Sequence, residues 1–428
     1  MTPYATVLRP SRGRPALLAP AEERERWLRR RVGTVWGLLI LNTIGFSGAA
    51  VHIPSMVGKA VTQGALPLAL IVALAANRRV IVRPNVLLCL VSLLALEAIL
   101  TATQAHFAGT IYRTFRLAEF AAVLWLISPW WGRRDLLLVR FHLRAYSVIL
   151  GSVVLGLLVT PGLALTGGRL GGALWTIPAT QVAHYAAVTI GLVVVMWFCG
   201  LVTGRVTLPV VIVTGVMLIL THTRTALIGL IAGILVAGLS LILTKPRVRK
   251  LFATIGVMAA IVIMTLSSVI TAWLARGQGT SELTKLTGRT LVWSALLAFP
   301  RTRFQEIFGF GLTNSSFNGL PIDSNWLSSY HEQGLFGVSV CAAILLFLLV
   351  TAYFQPSGVE RALALFLVTY CLVASFTEDG FTDATTYLLE LTLAASMLVT
   401  SAARRKSGIS SELDVQDAMY PPLSRAYR

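Results

Sequence analysis

Residues 206–244 read VTLPVVIVTGVMLILTHTRTALIGLIAGILVAGLSLILT, and this stretch decides the fold. Two apolar runs, 206–221 and 225–244, meet at a short polar junction that ends at Arg224. A helix needs about 20 residues to cross the hydrocarbon core of a bilayer, and both runs approach that length. The stretch therefore predicts two membrane-spanning helices with an arginine at the turn between them.

The composition of the whole chain agrees with this prediction. Of 428 residues, 56% are hydrophobic and only 13% are charged, and the mean hydropathy is +0.76. Soluble domains carry about 25% charged residues. The apolar runs are continuous rather than alternating, which argues against a membrane β-barrel. We expect an all-α, polytopic membrane protein with no separate soluble domain.

The remaining apolar runs bring the number of predicted spans to twelve. They lie at about 33–52, 60–76, 86–104, 113–131, 145–161, 181–200, 206–221, 225–244, 251–273, 335–353, 360–377 and 385–402. The corresponding division of the chain is a basic tail (1–32), a single transmembrane domain (33–403) and a polar tail (404–428). We see no internal repeat and no low-complexity segment.

The net charge of +18 is explained by position rather than by nucleic-acid binding. Basic clusters precede the first predicted span and follow the second, fourth, eighth and twelfth. The clusters are Arg24 to Arg31, Arg78 to Arg83, Arg133 to Arg144, Lys245 to Lys250 and Arg404 to Lys406. All of them fall on one side if twelve helices cross and both termini are cytoplasmic, which is the positive-inside pattern. We therefore expect no nucleic-acid partner.

This topology leaves two longer segments on the outer face, 162–180 and 274–334. The second has some sixty residues, and a structureless loop of that length is uncommon in a compact protein. Residues 288–300 predict an amphipathic helix ending at Pro300, and the following GFGLTNSSFNG predicts a turn-rich loop. We expect a large, partly helical outer loop before the last three spans.

Three charged residues of this outer face are the leading candidates for a site. Arg224 and Arg289 supply two fixed cations, and Asp323 supplies a carboxylate. A guanidinium is permanently charged and binds phosphate oxygens with two parallel hydrogen bonds. This set suits an anionic lipid-linked substrate better than it suits a simple pore.

Charged residues also fall inside predicted spans, namely Glu97, Arg113, Arg116 and Glu119. Intramembrane charges are costly, and they usually mark an ion pair or a cavity. Arg116 and Glu119 are three residues apart, so they are placed to pair on one face of a helix. Pairing with Glu119 and contact with substrate both stay open for Arg116.

Three motifs resemble those of the O-antigen ligase and O-antigen polymerase superfamily, bacterial integral membrane type C glycosyltransferases. THTRTAL is similar to a Ser/Thr-Arg-small pattern before a span, although Ile228 occupies the ligase leucine position. GRTLVW followed by FPRTRFQEIFGFG is similar to a second pattern of the family. In that pattern an Arg is followed by a Trp four residues later, and then by a Pro and a Gly-x-Gly turn. GGRLGGALWTIPAT is a weaker match. The resemblance covers most of the chain.

The last motif departs from the ligase pattern of His, then Asn, Ser or Gln, nine residues, and Gly-x-x-Gly. Ser324, Gly334 and Gly337 keep the spacing, but Asp323 occupies the histidine position. This departure puts classical lipid A-core ligation in doubt. It favours a polymerase, or a ligase for another glycan, within the superfamily.

The resemblance implies transfer of a saccharide from a polyprenyl-diphosphate donor to a glycan or glycolipid acceptor, on the outer face of the bacterial inner membrane. Arg224 and Arg289 would then neutralise the diphosphate. Asp323, with His331 as the alternative, would accept the proton of the acceptor hydroxyl. Asp323 is also a favoured helix N-cap residue. Further candidates for the cavity are Arg116, Gln181, His184, His222, Arg301 and Arg303.

No metal ion or other cofactor is expected from this resemblance. Glu378, Asp379 and Asp383 form an outer-face acidic cluster that either binds a divalent cation or is a solvated loop, and the solvated loop is the simpler interpretation. The four cysteines, each within a predicted span, are interpreted as buried thiols. They are Cys89, Cys199, Cys341 and Cys371.

Two other classes of protein compete with a transferase. A transporter or flippase of lipid-linked saccharides predicts a central pathway with functional charges on both membrane faces. A non-catalytic membrane scaffold does not require arginines on the outer face. The candidate residues gather on one face, which disfavours the transporter.

Overall fold

The computed structural model describes residues 19–44, 55–103, 108–132, 136–246, 248–250, 252, 254, 289–313 and 315–399. This part of the chain is mostly helical. The helices are α1 (Ala19–Leu41), α2 (Ser55–Ala76), α3 (Val86–Ala102), α4 (Ala108–Ile127), α5 (Leu137–Val159), α6 (Pro161–Ala164), α7 (Ala179–Phe198), α8 (Gly204–Leu220), α9 (Arg224–Leu241), α10 (Arg289–Ala298), α11 (Arg303–Phe308), α12 (Asn325–Phe354), α13 (Val359–Ala374) and α14 (Thr386–Leu398). Two short strands, β1 (Ser316–Phe317) and β2 (Leu320–Pro321), form a hairpin.

Five helices in the described ranges are long and apolar enough to cross a membrane. They are Met56–Ala76, Leu137–Val159, Ala179–Phe198, Arg224–Leu241 and Asn325–Phe354. This confirms the predicted class, a helical protein with membrane-crossing segments. The count of twelve spans stays a prediction, and the predicted span at 251–273 lies almost entirely outside the described residues. Helix α1 begins at Ala19 rather than near residue 33, so it includes part of the predicted basic tail.

The surface of α8 has the character of a lipid-facing helix. Six of its large apolar side chains are exposed, namely Val206, Leu208, Ile212, Val213, Val216 and Ile219. Contiguous apolar patches of this kind are unusual on a protein surrounded by water. A bilayer removes the cost of exposing them, since lipid tails are themselves apolar.

The centre of the bundle is packed through glycines that receive aromatic rings. A Cβ atom added to Gly191 of α7 would lie 1.8 Å from Cζ of Phe366, and one added to Gly233 of α9 would lie 2.7 Å from its Cδ2. Gly229 receives the ring of Tyr370 in the same way. Small residues allow close approach of helices where lipid supplies no hydrophobic force between them. Helix α13 is thereby held against both α7 and α9.

The segment before α12 folds into a compact unit. The helix predicted over 288–300 is confirmed as α10. Its Trp293 donates from Nε1 to the carbonyl oxygen of Ile322, at 2.7 Å, and its Leu296 is buried with Phe317 and Ile322. The β-hairpin turns at Asn318-Gly319, both with positive φ, which is the dipeptide that such two-residue turns favour. These contacts fix the chain that leads into Asp323.

Gly334, the first glycine of the Gly-x-x-Gly part of the last motif, interrupts α12. Its backbone has φ 65° and ψ −161°, which is not helical. The break frees the carbonyl oxygens of His331 and Glu332, and these accept hydrogen bonds from the backbone N–H groups of Phe310 (3.0 Å) and Gly311 (2.8 Å). The Gly-Phe-Gly turn is thus docked onto the first part of α12.

We expect Gly334→Ala to destabilise the protein. A positive φ is strained for alanine by about 1–3 kcal/mol, and the new Cβ would lie 2.4 Å from the carbonyl carbon of Ile307. Thermal unfolding in detergent should show a lowered midpoint. Gly215→Ala in α8 is the matched control because a Cβ there meets nothing within 4 Å. An equal response of the two variants would contradict the role given to Gly334.

Candidate functional site

A polar cavity of about 370 Å³ opens at one end of the bundle. Its wall comes from the turn after α1, the first half of α4, the start of α7, the chain around Asp323, the start of α12 and the turn between α13 and α14. The charged residues in the wall are Arg113, Arg116, Asp323, Glu332, Glu378, Asp379 and Asp383. Within the described ranges, this cavity brings together the largest share of the residues predicted to form the site.

Asp323 lies in the cavity wall and is paired with Arg289, the first residue of α10. The guanidinium Nε donates to Oδ2 of Asp323 at 3.1 Å, and both side chains are partly exposed. The two residues are 34 positions apart, and the fold brings them into contact. The predicted cation and the predicted base are therefore one ion pair at the cavity.

Asp323 does not cap α12. Ser324 is the N-cap residue, and its side chain accepts no hydrogen bond from the first turn of the helix. Asp323 instead has a positive φ of 45°, a conformation in which Asp is several-fold enriched among residues other than glycine. This backbone geometry turns its side chain toward Arg289.

His331, the alternative base, is not among the residues of the cavity wall. It is buried in α12, 8% exposed, with its ring against Phe310 (5.1 Å between centroids) and Phe317 (5.6 Å). Its Nδ1 has no hydrogen-bond partner among the described residues. The structure places this histidine in the packing under the Gly-Phe-Gly turn.

Arg224 opens α9 at the turn after α8, outside the cavity wall. Its Nε and Nη2 are buried and have no hydrogen-bond partner in the described part of the chain. The next residue, Thr225, shares a 2.5 Å hydrogen bond with Thr377, directly before Glu378. This contact places the start of α9 beside the acidic turn of the cavity.

Arg169 holds the turn that presents Arg224, a role that sequence reasoning missed. Its Nε donates to the carbonyl oxygen of Thr221 at 3.0 Å, and its Nη2 donates to Oγ1 of Thr223 at 3.2 Å. Between these two threonines, His222 has a positive φ of 52°. The GGRLGG motif thus acts as a structural support for THTRTAL.

The two arginines of α4 are fixed by partners across the bundle. Arg113 lies 3.4 Å from Oδ2 of Asp383. Arg116 donates to Oδ1 of Asn42 (3.1 Å) and to the carbonyl oxygens of Asn42 (3.2 Å) and Ala384 (2.7 Å). Arg116 therefore bridges α1 and the turn before α14 instead of pairing with Glu119.

Glu332 organises the loop that follows the Gly-Phe-Gly turn. Its Oε1 accepts hydrogen bonds from the backbone N–H of Thr313 (2.9 Å), the hydroxyl of Thr313 (2.7 Å) and the backbone N–H of Ser315 (2.8 Å). The residue is 2% exposed. A buried carboxylate with three donors is well satisfied, so Glu332 serves as a structural anchor of the cavity wall.

The acidic cluster between α13 and α14 is not a solvated loop. Asp383 is only 6% exposed, and Glu378 and Asp379 are partly buried in the cavity wall. Burial raises the pKa of Glu378 from its ordinary 4.5 to about 7; Arg289 opposes this shift, and the charges of Asp379 and Asp323 add to it. Burial likewise raises the pKa of Asp379. The surroundings of both carboxyl groups thus favour their protonated forms.

Gln181 and His184, in the first turns of α7, also lie in the cavity wall as predicted. Oε1 of Gln181 is buried without a hydrogen-bond partner among the described residues. His184 Nε2 lies 2.8 Å from Oε1 of Glu390 in α14. Its Nδ1 is 3.1 Å from the hydroxyl of Tyr370 in α13. His184 therefore connects the cavity to a polar network inside the bundle.

Glu390 is the centre of that network, and sequence reasoning missed it. It is fully buried, and its Oε1 accepts a 2.8 Å hydrogen bond from the hydroxyl of Tyr146. His142 Nε2 is 3.9 Å from the same oxygen, while its Nδ1 accepts from Trp36 Nε1 at 3.3 Å. The sequence did contain one indication of this role, since Glu390 falls inside the predicted span 385–402. An ionisable residue inside a span usually has a partner.

The other candidates lie outside the cavity wall. Arg301 donates to the carbonyl oxygens of Tyr330 and Leu296, each at 3.2 Å, and its guanidinium lies 4.3 Å from the centre of the Tyr330 ring. Arg303 is exposed at the start of α11. His222 lies in the turn before Arg224. Arg301 thus supports α10 and α12 structurally.

No protein-family model matches the chain, and no curated protein matches it. No group of three or more His, Cys, Asp or Glu residues suited to holding a metal ion occurs in the described ranges. The case for a function therefore rests on the residues around the cavity.

Proposed function

We propose that this protein is a membrane glycosyltransferase that moves a saccharide from a polyprenyl-diphosphate donor to a glycan or glycolipid acceptor. The main support is the polar cavity whose wall contains Asp323 and the acidic turn 378–383, with Arg289 paired to Asp323 at 3.1 Å. Basic groups suit a diphosphate, and carboxylates suit the hydroxyl groups of a sugar. The motif resemblance to O-antigen ligases and polymerases supports the same reaction.

The direction of the helices supports an assignment of the two sides of the membrane. The cavity lies where α1 ends and α4 begins, whereas a second groove at the opposite ends of these helices is lined by Trp27, Arg78, Arg79 and Trp130. Arginine-rich ends face the cytoplasm under the positive-inside rule. The cavity would then open on the outer face of a bacterial inner membrane, where the lipid-linked donor is used.

We expect cysteine labelling from outside the cell to report this orientation. A cysteine at Pro178, exposed at the cavity rim, should react with a membrane-impermeant maleimide in intact cells. A cysteine at Arg78, exposed at the opposite end, should react only after permeabilisation. The unsubstituted protein is the control, because it shows how much maleimide labelling comes from the native cysteines. The reverse pattern would place the cavity on the cytoplasmic side and remove this part of the proposal.

In the proposed reaction, the acceptor oxygen attacks the anomeric carbon and the polyprenyl diphosphate leaves with the electron pair of the broken C–O bond. Arg289 is paired with Asp323 of the cavity wall, and Nε and Nη2 of Arg224 have no hydrogen-bond partner among the described residues. These two residues are the proposed binding groups for the diphosphate. Stabilisation of developing charge by such groups is worth on the order of 3–4 kcal/mol.

The proposal is tested with purified protein and a polyprenyl-diphosphate oligosaccharide, without nucleotide sugar, with and without EDTA. Lengthening or transfer of the glycan that survives EDTA supports a metal-independent transferase. Absence of transfer with every acceptor, together with movement of the lipid-linked saccharide across liposomes, would replace it with a transporter. The transporter is the second candidate because the bundle contains buried ionisable groups, Glu390 and His184, and such groups also occur on transport pathways.

A further inference from the structure

The cavity wall contains five carboxyl groups, and their partners differ. Asp323 is paired with Arg289. Asp383 accepts from the backbone N–H of Ala384 at 2.6 Å and lies 3.4 Å from Arg113. Each of these two carboxylates already has an oxygen in contact with a guanidinium. Their oxygens are therefore occupied by partners from the protein itself.

Two more carboxyl groups are stabilised by neighbouring donors. Glu332 accepts three hydrogen bonds from Thr313 and Ser315, and the side chain of Ser315 opposes the rise in the pKa of Asp379. Glu378 differs from the other four, since its side chain has no ion pair and no hydrogen bond with any described residue. It is partly buried, and it borders the cavity.

We infer that Glu378, rather than Asp323, is the catalytic base that takes the proton of the acceptor hydroxyl; this inference rests on the proposed function. As the acceptor oxygen bonds to the anomeric carbon, its proton passes to the Glu378 carboxylate. The bond between the anomeric carbon and the diphosphate oxygen breaks, and the diphosphate keeps the electron pair. The proton on Glu378 then passes to solvent through the open cavity. No metal ion or redox partner is needed to balance this step.

The surroundings of Glu378 suit this task. The titratable and charged groups around it are Arg289 of α10, Asp323 before α12, Asp379 beside it, His184 of α7, Tyr370 of α13 and Tyr387 of α14. Their net effect together with burial is a pKa of about 7. A base is most effective when its pKa is near the working pH. Asp323 has a different task here, which is to hold Arg289 in place.

The sign of the expected pH dependence follows from this pKa. Glu378 acts as a base only when ionised, so kcat/KM should rise with pH through about 7 and then level off. A raised pKa in the folded state also means that folding binds a proton between the ordinary value of 4.5 and 7. The contribution of Glu378 to the free energy of unfolding should thus fall as the pH rises from 4.5 to 7.

The test compares Glu378→Gln, Glu378→Asp and Asp323→Asn in the transfer assay from pH 5.5 to 9. Glu378→Gln should lower kcat/KM by about 100-fold or more and lose the inflection near pH 7. Glu378→Asp keeps a carboxyl group, so it should retain the inflection at a reduced rate. Asp323→Asn should retain it as well, because Glu378 is intact.

A stability measurement accompanies the assay and does not depend on activity. Relative to the unchanged protein, Glu378→Gln should unfold at a higher temperature at pH 8 and at a similar temperature at pH 4, because the amide cannot ionise. Unchanged rate and inflection in Glu378→Gln, or loss of the inflection in Asp323→Asn, would overturn the assignment of the base. Lack of transfer by the unchanged protein would instead overturn the proposed function, and this inference with it.

Discussion

Arg289→Ala is expected to lower the rate of glycan transfer by about 100- to 1,000-fold, the usual effect of removing a group that stabilises developing charge. Arg289 is the cation paired with Asp323, at 3.1 Å. Its loss leaves the cavity wall with five carboxyl groups facing Arg113 and Arg116. A negatively charged donor would then meet repulsion both on binding and as the diphosphate leaves.

The measurement is kcat/KM for transfer, made beside thermal unfolding of the same preparation. Arg289→Lys keeps the charge but loses the planar two-point contact with phosphate, so it should fall between the unchanged protein and the alanine variant. Arg140→Ala is the matched control, since Arg140 is exposed on α5 outside the cavity wall. Transfer by Arg289→Ala at the rate of the control would remove the proposed diphosphate contact.

Glu390→Ala is expected to lower the free energy of unfolding by about 3–5 kcal/mol, the range for breaking a buried ionic contact from one side. The substitution leaves His184 Nε2 and the hydroxyl of Tyr146 without the oxygen that each contacts at 2.8 Å. Tyr146 is fully buried and His184 is 3% exposed, so replacement partners from solvent are scarce. Helices α5, α7 and α14 would lose their shared polar contact.

Glu390→Gln separates this effect from simple loss of side-chain volume. The amide keeps an oxygen that can accept from the hydroxyl of Tyr146, so the cost should be on the order of 1 kcal/mol. Thr392→Ala is the control on the same helix because its hydroxyl bonds only to the carbonyl oxygen of Leu388, at 2.8 Å. Thermal or denaturant unfolding in detergent gives all three values. A Glu390→Ala variant as stable as Thr392→Ala would show that the network contributes little.

The helical, membrane-crossing class was predictable from the sequence because it depends on local properties. Runs such as 225–244 must form internal hydrogen bonds in lipid, and a helix satisfies this requirement within the run itself. The helix over 288–300 was predictable for the same reason, because its end depends on Pro300. The break at Gly334, by contrast, became visible only in the structure, from the positive φ of this glycine.

The partners of the charged side chains were not predictable in this way. Asp323 and Arg289 were both identified, but nothing local to either residue predicts that they form one ion pair. Arg116 had a suitable neighbour in Glu119, yet it contacts Asn42 and Ala384 across the bundle. The acidic cluster is polar enough to resemble a surface loop, and only its packing shows that it is partly buried.

The sequence alone was enough to predict a helical chain with segments apolar enough to cross a membrane, and it singled out Arg224, Arg289 and Asp323 as site candidates. Only the folded chain shows that Arg289 and Asp323 meet, and only it reveals Glu378 and the Glu390 network. Backbone hydrogen bonding and hydrophobicity act within one helix. The partner of a carboxyl group, in contrast, can come from a distant part of the chain, as with the 244 positions between Tyr146 and Glu390.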